Sequence, residues 1–168
     1  MRKHARYLAH AAIIAALYAV LTHLQNVLFP GSATWAIQLR LSEALNILAF
    51  FTPAASVGLA VGCLVFNLTF AAALPLDFLV GTLATYAACK LMWMTRKVTV
   101  KGLPVLGLFM PALTNAFLVG WELTVYIGGS FWLNALYVAI GEAIVLLVFG
   151  SALYYVMKKR KLDVRLFS

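Results

Sequence analysis

Residues 131–161 read FWLNALYVAIGEAIVLLVFGSALYYVMKKRK, a long apolar run that ends in four consecutive basic residues. A bilayer core of about 30 Å needs about 20 apolar residues in a helix. The run 131–157 exceeds that length and contains a single acidic residue, Glu142. We therefore predict a membrane-spanning helix whose basic end, 158–161, lies in the cytoplasm, where Lys and Arg accumulate.

The other basic residues indicate the orientation of the whole chain. Of the 13 Lys and Arg residues, all except Arg40 lie between the apolar runs or in the C-terminal tail, at 2–6, 90–101, 158–161 and 165. The positive-inside rule then places both termini and the segment 96–101 in the cytoplasm. The segments 30–35 and 128–130 are expected outside.

The acidic residues show the opposite distribution. Glu43, Asp77, Glu122 and Glu142 are predicted in the outer half of the membrane or at its outer edge, and Asp163 lies with the basic tail. Ionisable side chains within a membrane are costly and usually functional. We therefore expect some of these four carboxylates to bind a ligand.

Composition excludes a soluble protein. Hydrophobic residues make up 64% of the 168 residues, charged residues make up 11%, and the mean hydropathy is +0.96, far from the balance of a soluble domain. The net charge of +8 does not indicate nucleic-acid binding, because the basic clusters are short and lie at predicted helix ends. We predict one multi-pass transmembrane domain, residues 1–168, in a prokaryotic plasma membrane.

The apolar runs predict an all-α integral membrane protein with six transmembrane helices and both termini in the cytoplasm. The first run has no cleavage site before a soluble domain, so we expect it to be retained as a helix. The second span is short and ends before Pro53, and it is also consistent with an outer-loop segment. Pro111 should kink the fifth span. The predicted spans are 7–24, 36–51, 54–74, 76–94, 103–126 and 131–157.

The outer loop 25–36 reads QNVLFPGSATWA and leaves two interpretations open. A loop of this kind can close over a binding site as a lid. Alternatively, Trp35 anchors an ordinary loop at the membrane interface.

Catalysis, cofactor binding and metal binding have no support in the sequence. No Walker or GxGxxG motif occurs, so any energy from ATP must come from another polypeptide. The three histidines all precede residue 24, with no Ser or Cys placed to pair with them. Cys63 and Cys89 lack the spacing of a metal or disulfide motif and are interpreted as packing thiols. We predict that the chain is not an enzyme.

The first span carries a stripe of small residues. They repeat every four positions, as Ala11, Ala15 and Ala19, and are widened by Ala12 and Ala16. Such a stripe lets another helix approach closely, since helix association in lipid depends on van der Waals contact. The approaching helix can belong to a partner protein or to this chain, and both readings stay open.

Five stretches resemble, in order and spacing, the QueT family of substrate-binding S-components of energy-coupling factor transporters. The likeness covers nearly the whole chain, and the joint occurrence of the stretches is more specific than any one of them. They are 37–45 (IQLRLSEAL), 51–55 (FTPAA), 75–77 (PLD), 115–116 with 119–122 (NA and VGWE), and 131–135 with 141–142 (FWLNA and GE).

The resemblance implies a function and partners. An S-component captures its substrate outside, and its first helix docks a coupling transmembrane subunit that works with two ATPase subunits. The implied substrate is a queuosine precursor, chiefly the aminomethyl-deazaguanine base. The alternative is a self-sufficient, proton-coupled carrier of a small organic cation or nucleobase-like amine. A purely structural scaffold is disfavoured by the acidic residues within the membrane.

The residues suit such a ligand. A carboxylate can accept two hydrogens from the guanine-like edge, another can pair with the ammonium, Asn side chains can bond the remaining atoms, and Trp rings can stack. Glu122 and Glu142 are the strongest candidates, because no basic residue is available at their depth; which of them binds the amine stays open. The full candidate set is Glu122, Glu142, Asn115, Asn134, Glu43, Asn46, Asp77, Trp121, Trp132 and Trp35.

Several candidates also have a structural interpretation. Glu43 can form a local ion pair with Arg40. Asp77 can cap the fourth span, and Trp132 can belong to the interfacial aromatic belt. Asn67, in the third span, is better explained by a hydrogen bond between helices than by ligand contact.

Overall fold

The computed structural model describes residues 2–32 and 37–167, and the regular secondary structure of this part of the chain is helical, with one isolated β-bridge between Val100 and Leu103. The predicted all-α class is confirmed. The elements are α1 (Arg2–Leu28), a 3-10 helix (Leu41–Phe50), α2 (Ala54–Thr69), α3 (Asp77–Thr95), α4 (Val105–Leu108), α5 (Met110–Tyr126), α6 (Phe131–Val145), a π-helical turn (Leu146–Gly150), α7 (Ser151–Lys159) and α8 (Leu162–Phe167).

Three helical stretches are long and apolar enough to cross a membrane, judged by length and composition. They are Lys3–Leu28, Val105–Tyr126 and Phe131–Lys159, and they overlap the first, fifth and sixth predicted spans. The 3-10 helix and α2 are apolar but shorter. The count of six spans and the side on which each terminus lies stay predictions.

The second predicted span, 36–51, requires a correction. Its described part forms a 3-10 helix of 10 residues, Leu41–Phe50, instead of an α-helical span. At about 2 Å per residue this helix is only about 20 Å long, which is too short for a bilayer core of about 30 Å. Most of its side chains are buried, so the segment lies inside the bundle rather than against lipid.

The 3-10 helix occupies the centre of the fold. Around it, α1 packs on α2, α2 on α3, α3 on α5, and α5 on α6, while the 3-10 helix itself contacts α1, α2, α3, α6 and the π-helical turn. The hydroxyl of Thr22 on α1 donates a hydrogen bond of 2.6 Å to the hydroxyl of Ser42, at the start of the 3-10 helix. Because side chains three apart align in a 3-10 helix, Glu43 and Asn46 project in the same direction.

Helices α1 and α2 meet through small residues. A Cβ atom at Gly58 would lie 2.6 Å from the carbonyl oxygen of Ala11, and one at Gly62 would lie 2.7 Å from that of Ala15. The two backbones are therefore in near contact, as in other small-xxx-small pairs of membrane helices.

The kink predicted at Pro111 coincides with an interruption of the helix. Helix α4 ends at Leu108, Phe109 separates it from α5, and Pro111 lies in the first turn of α5. A proline is tolerated there, since the first N–H groups of a helix have no intrahelical partner. The ring of Phe50 occupies the space that a Cβ at Gly107 would need, so the end of the 3-10 helix packs against this glycine.

Candidate functional site

Four acidic side chains come together in the interior from four different elements. Glu43 belongs to the 3-10 helix, Asp77 begins α3, Glu122 lies on α5 and Glu142 on α6. The exposed fractions of Glu43, Glu122 and Glu142 are 2%, 0% and 7%, and Asp77 is half-buried. Glu142 interacts electrostatically with Glu43, and Glu122 with Asp77. The structure thus arranges the four predicted carboxylates as two pairs.

Arg40 supplies positive charge between the two pairs. It is the only basic side chain in the described part of the chain that is buried this deeply, and it interacts electrostatically with Glu43 and Asp77. Its guanidinium also lies over the ring of Phe66, 5.6 Å from the centroid. Four carboxylates around one guanidinium leave a formal excess of three negative charges. The site therefore favours a cationic ligand or bound protons.

Glu43 is held by hydrogen bonds on both of its oxygens. The Tyr18 hydroxyl donates to Oε1, and Nδ2 of Asn46 donates to Oε2 at 2.5 Å. The Cys89 thiol in turn donates to Oδ1 of Asn46 at 3.7 Å. Charge-assisted hydrogen bonds of this kind fix a carboxylate in place, so Glu43 has a structural role, and its binding role stays a prediction.

Glu142 is only partly satisfied. Nδ2 of Asn115 donates to its Oε1 at 2.9 Å, whereas its Oε2 is buried without a hydrogen-bond partner among the described residues. At the neighbouring Gly141, a Cβ would lie 2.5 Å from the carbonyl oxygen of Gln38. The segment that leads into the 3-10 helix thus packs directly beside this carboxylate.

Glu122 has no donor group beside its carboxylate. Both oxygens are buried and accept no hydrogen bond from a donor among residues 2–32 and 37–167. The carboxyl of Asp77 lies close enough for one proton to be shared between the two acids, and Arg40 is a further electrostatic neighbour. An unpaired charge in low-dielectric surroundings is strongly unfavourable. This carboxylate is therefore suited to receive a proton or a cationic group.

Asp77 also stabilises the entry to α3. Its Oδ2 accepts a hydrogen bond of 2.6 Å from the N–H of Leu74, and its carbonyl accepts one of 2.7 Å from Nδ2 of Asn67 on α2. The interhelical hydrogen bond predicted for Asn67 is confirmed. Asp77 combines a structural bond to the preceding turn with a position beside Glu122.

A cavity of about 180 Å³ adjoins the pair formed by Glu122 and Asp77. Gln38, Arg40, Asp77 and Leu123 are among its lining residues. A larger groove of about 580 Å³ lies beside the C-terminal end of α1, but its walls are mainly apolar side chains such as Leu28 and Phe149. Because the larger groove contains no carboxylate, the smaller cavity is the candidate entrance to the site.

Three predicted site residues do not join the carboxylates. Nδ2 of Asn134 donates hydrogen bonds of 3.0 Å to Oγ1 of Thr124 and to the carbonyl of Gly128, and so stabilises the turn between α5 and α6. Trp121 and Trp132 are 48% and 72% exposed. Their rings lie on the outer surface of the bundle, which for Trp132 favours the interfacial interpretation.

The outer loop is anchored at its base. Nε2 of Gln25 donates to Oγ of Ser32 at 2.8 Å and to the carbonyl of Leu39 at 2.5 Å, and the N–H of Leu39 donates to the carbonyl of Ser32 at 3.0 Å. Trp35 lies outside the described residues. Its role, and that of the loop as a lid, stay predictions.

The alanine stripe on α1 is divided between two surfaces. Ala11 and Ala15 pack against α2 as described above, and Ala19 is half-buried. Ala12 and Ala16 are exposed on the other side of the helix. Internal packing therefore accounts for Ala11 and Ala15, and Ala12 and Ala16 are the exposed members of the predicted docking set.

Sequence reasoning missed Tyr18 and underestimated Arg40. The signal for Tyr18 is its spacing with Thr22 and Gln25, which puts three polar side chains on one face of an apolar helix. All three are buried and bonded to the 3-10 helix or to the segment before it.

Comparison with known proteins identifies the family. A family model described as QueT transporter matches residues 8–159, a range that includes all four carboxylates, Arg40 and the exposed alanines. No curated protein and no solved structure matches the chain. Since the match extends over nearly the whole sequence, this chain belongs to the QueT transporter family.

Proposed function

We propose that this chain is the substrate-binding S-component of an energy-coupling factor transporter, and that it captures an aminomethyl-deazaguanine precursor of queuosine outside the cell. Membership of a transporter family supports the transport role. The proposal rests most on the group of four carboxylates, three of them buried and Asp77 half-buried, with Arg40 as the one deeply buried basic side chain in the described part of the chain.

The chemistry of the site matches that of the proposed ligand. The base offers a flat edge with adjacent N–H donors and an aminomethyl group that is cationic near neutral pH. The protein offers both oxygens of Glu122 and Oε2 of Glu142, which accept no hydrogen bond from a donor in the described part of the chain, and the amide of Asn115 lies beside Glu142. Such charge-assisted hydrogen bonds in a desolvated site each contribute about 1.5–3 kcal/mol.

The proposed partners are a coupling transmembrane subunit and two ATPase subunits. The chain has no nucleotide-binding motif of its own, so active import needs ATP hydrolysed elsewhere. The exposed Ala12 and Ala16 give α1 a flat surface on which a partner helix can pack closely.

An uptake experiment tests the proposal. Bacteria that lack their own route for the base would express this chain either alone or together with a coupling module. We expect accumulation of labelled aminomethyl-deazaguanine only in the second case. Accumulation with the chain alone, abolished by collapse of the proton gradient, would instead support the self-sufficient carrier.

A further inference from the structure

We infer that the two carboxylate pairs bind different parts of the ligand: Glu122 with Asp77 binds the cationic amine, and Glu142 with Asn115 binds the hydrogen-bonding edge of the ring. This inference rests on the proposed function and adds to it an assignment that the sequence leaves open.

The surroundings of Glu122 favour a ligand group that only donates. Both oxygens of Glu122 are buried and accept no hydrogen bond from a donor among the described residues, and the group beside them is the carboxyl of Asp77. Without a ligand, one shared proton can bridge the two acids. When both are ionised, an ammonium satisfies them, because it has three donors and no acceptor.

The surroundings of Glu142 offer donors as well as acceptors. Asn115 donates to Oε1 of Glu142, while Oε2 remains available. The neighbouring Glu43 is already bonded to Tyr18 and Asn46. A guanine-like edge also combines N–H donors with a carbonyl acceptor, and an amide beside a carboxylate can bond to both kinds of atom.

The cavity gives a cation access to the first pair. Asp77 lines the cavity of about 180 Å³ together with Arg40 and with Leu123, which follows Glu122 in α5. One guanidinium beside the two carboxylates Glu122 and Asp77 leaves a formal excess of one negative charge, which an ammonium would neutralise.

Calorimetry on the full chain in detergent tests the assignment with two probes. One is the aminomethyl-deazaguanine base, and the other is its uncharged nitrile counterpart. We expect Glu122→Gln to weaken binding of the aminomethyl base roughly tenfold to a hundredfold, with little change for the nitrile. Glu142→Gln should weaken binding of both probes by a similar factor. Asp163→Asn, which changes a distant acid, should bind both probes like the wild type.

The outcomes separate this inference from the proposed function. If Glu142→Gln selectively loses the aminomethyl base and Glu122→Gln weakens both probes, the assignment is reversed while the proposed function stands. If the wild type binds neither probe, both are overturned. A second variant, Asp77→Asn, should repeat the selective loss seen for Glu122→Gln; equal loss of both probes there would contradict the paired site.

Discussion

The hydroxyl of Tyr18 on α1 donates a hydrogen bond to the carboxylate of Glu43 on the 3-10 helix. Both side chains are almost completely buried. The opposite side of α1 carries the exposed Ala12 and Ala16. One buried contact therefore connects the candidate binding site to the helix that is proposed to dock the coupling subunit.

Replacing Tyr18 with Phe should destabilise the protein. The substitution removes one donor from Glu43 and leaves the bond from Asn46 in place, so the expected loss of unfolding free energy is about 1–3 kcal/mol. Thermal unfolding in detergent would measure it. Tyr155→Phe, at an exposed position on α7, is the matched control and should unfold like the wild type. Equal midpoints for both variants would show that the Tyr18 bond contributes nothing.

The contact between α1 and α2 predicts a strong effect for Gly62→Ala. The added Cβ would lie 2.7 Å from both the Ala15 carbonyl oxygen and the Tyr18 Cβ, so the helices must separate. Overpacking of this kind typically costs about 1–3 kcal/mol. A lower unfolding midpoint is expected, whereas Val61→Leu on the exposed side of α2 should have almost no effect. A Gly62→Ala variant as stable as the wild type would contradict the close approach.

Ala16→Leu should block assembly without disturbing the isolated chain. Leucine adds bulk on an exposed surface of α1, where the proposed partner backbone must come close. We expect co-purification with the coupling subunit to fall at least about tenfold, equivalent to roughly 1.4 kcal/mol, with unchanged ligand binding. Ala152→Leu, at an exposed position on α7, should assemble normally. Normal assembly of Ala16→Leu would remove this surface from the proposed interface.

The sequence predicts part of the site because depth and charge are visible in it. Glu122 and Glu142 lie in long apolar stretches that contain no basic residue, and the basic neighbour that the structure gives them, Arg40, comes from another segment. Such carboxylates must face the interior, as the structure confirms. The position of Trp121 follows as well, because adjacent helical residues point about 100° apart. When Glu122 faces the interior, Trp121 points towards the surface of the bundle.

Other parts of the site depend on tertiary contacts that no local pattern contains. Asn134 and Glu142 lie on one broad face, but eight residues rise about 12 Å along a helix, which separates them in depth. The 3-10 form of Leu41–Phe50 was also unpredictable, since eight of its ten residues are buried and no exposed polar face marks the helical period. Contacts with α1, such as Thr22 to Ser42, secure this segment.

The C-terminal helix α8 should respond to acid through one ion pair. The Lys158 ammonium donates a hydrogen bond of 2.8 Å to Asp163 and holds the pKa of that carboxyl below its ordinary value of 3.8. Because the folded-state pKa is lowered, the stabilising contribution is present above the ordinary value and is lost as the pH falls through the lowered one.

Asp163→Asn should therefore loosen α8 at neutral pH. Exposed ion pairs contribute about 0–1 kcal/mol, so amide exchange in α8 should accelerate at most about fivefold. The difference from the wild type should disappear in strong acid, where Asp163 is protonated. Lys97→Gln, which removes a distant exposed charge, should leave the exchange unchanged. A difference that persists in acid would mean that another interaction holds α8.

Mass spectrometry of small molecules released from the detergent-purified protein shows directly whether the carboxylate site holds a deazapurine. The protein would come from cells supplied with the aminomethyl-deazaguanine base, as the wild type and as the double variant Glu122→Gln/Glu142→Gln. We expect an amine-bearing deazapurine from the wild type and at least about tenfold less from the double variant. No deazapurine from the wild type, or equal amounts from both proteins, would contradict this expectation.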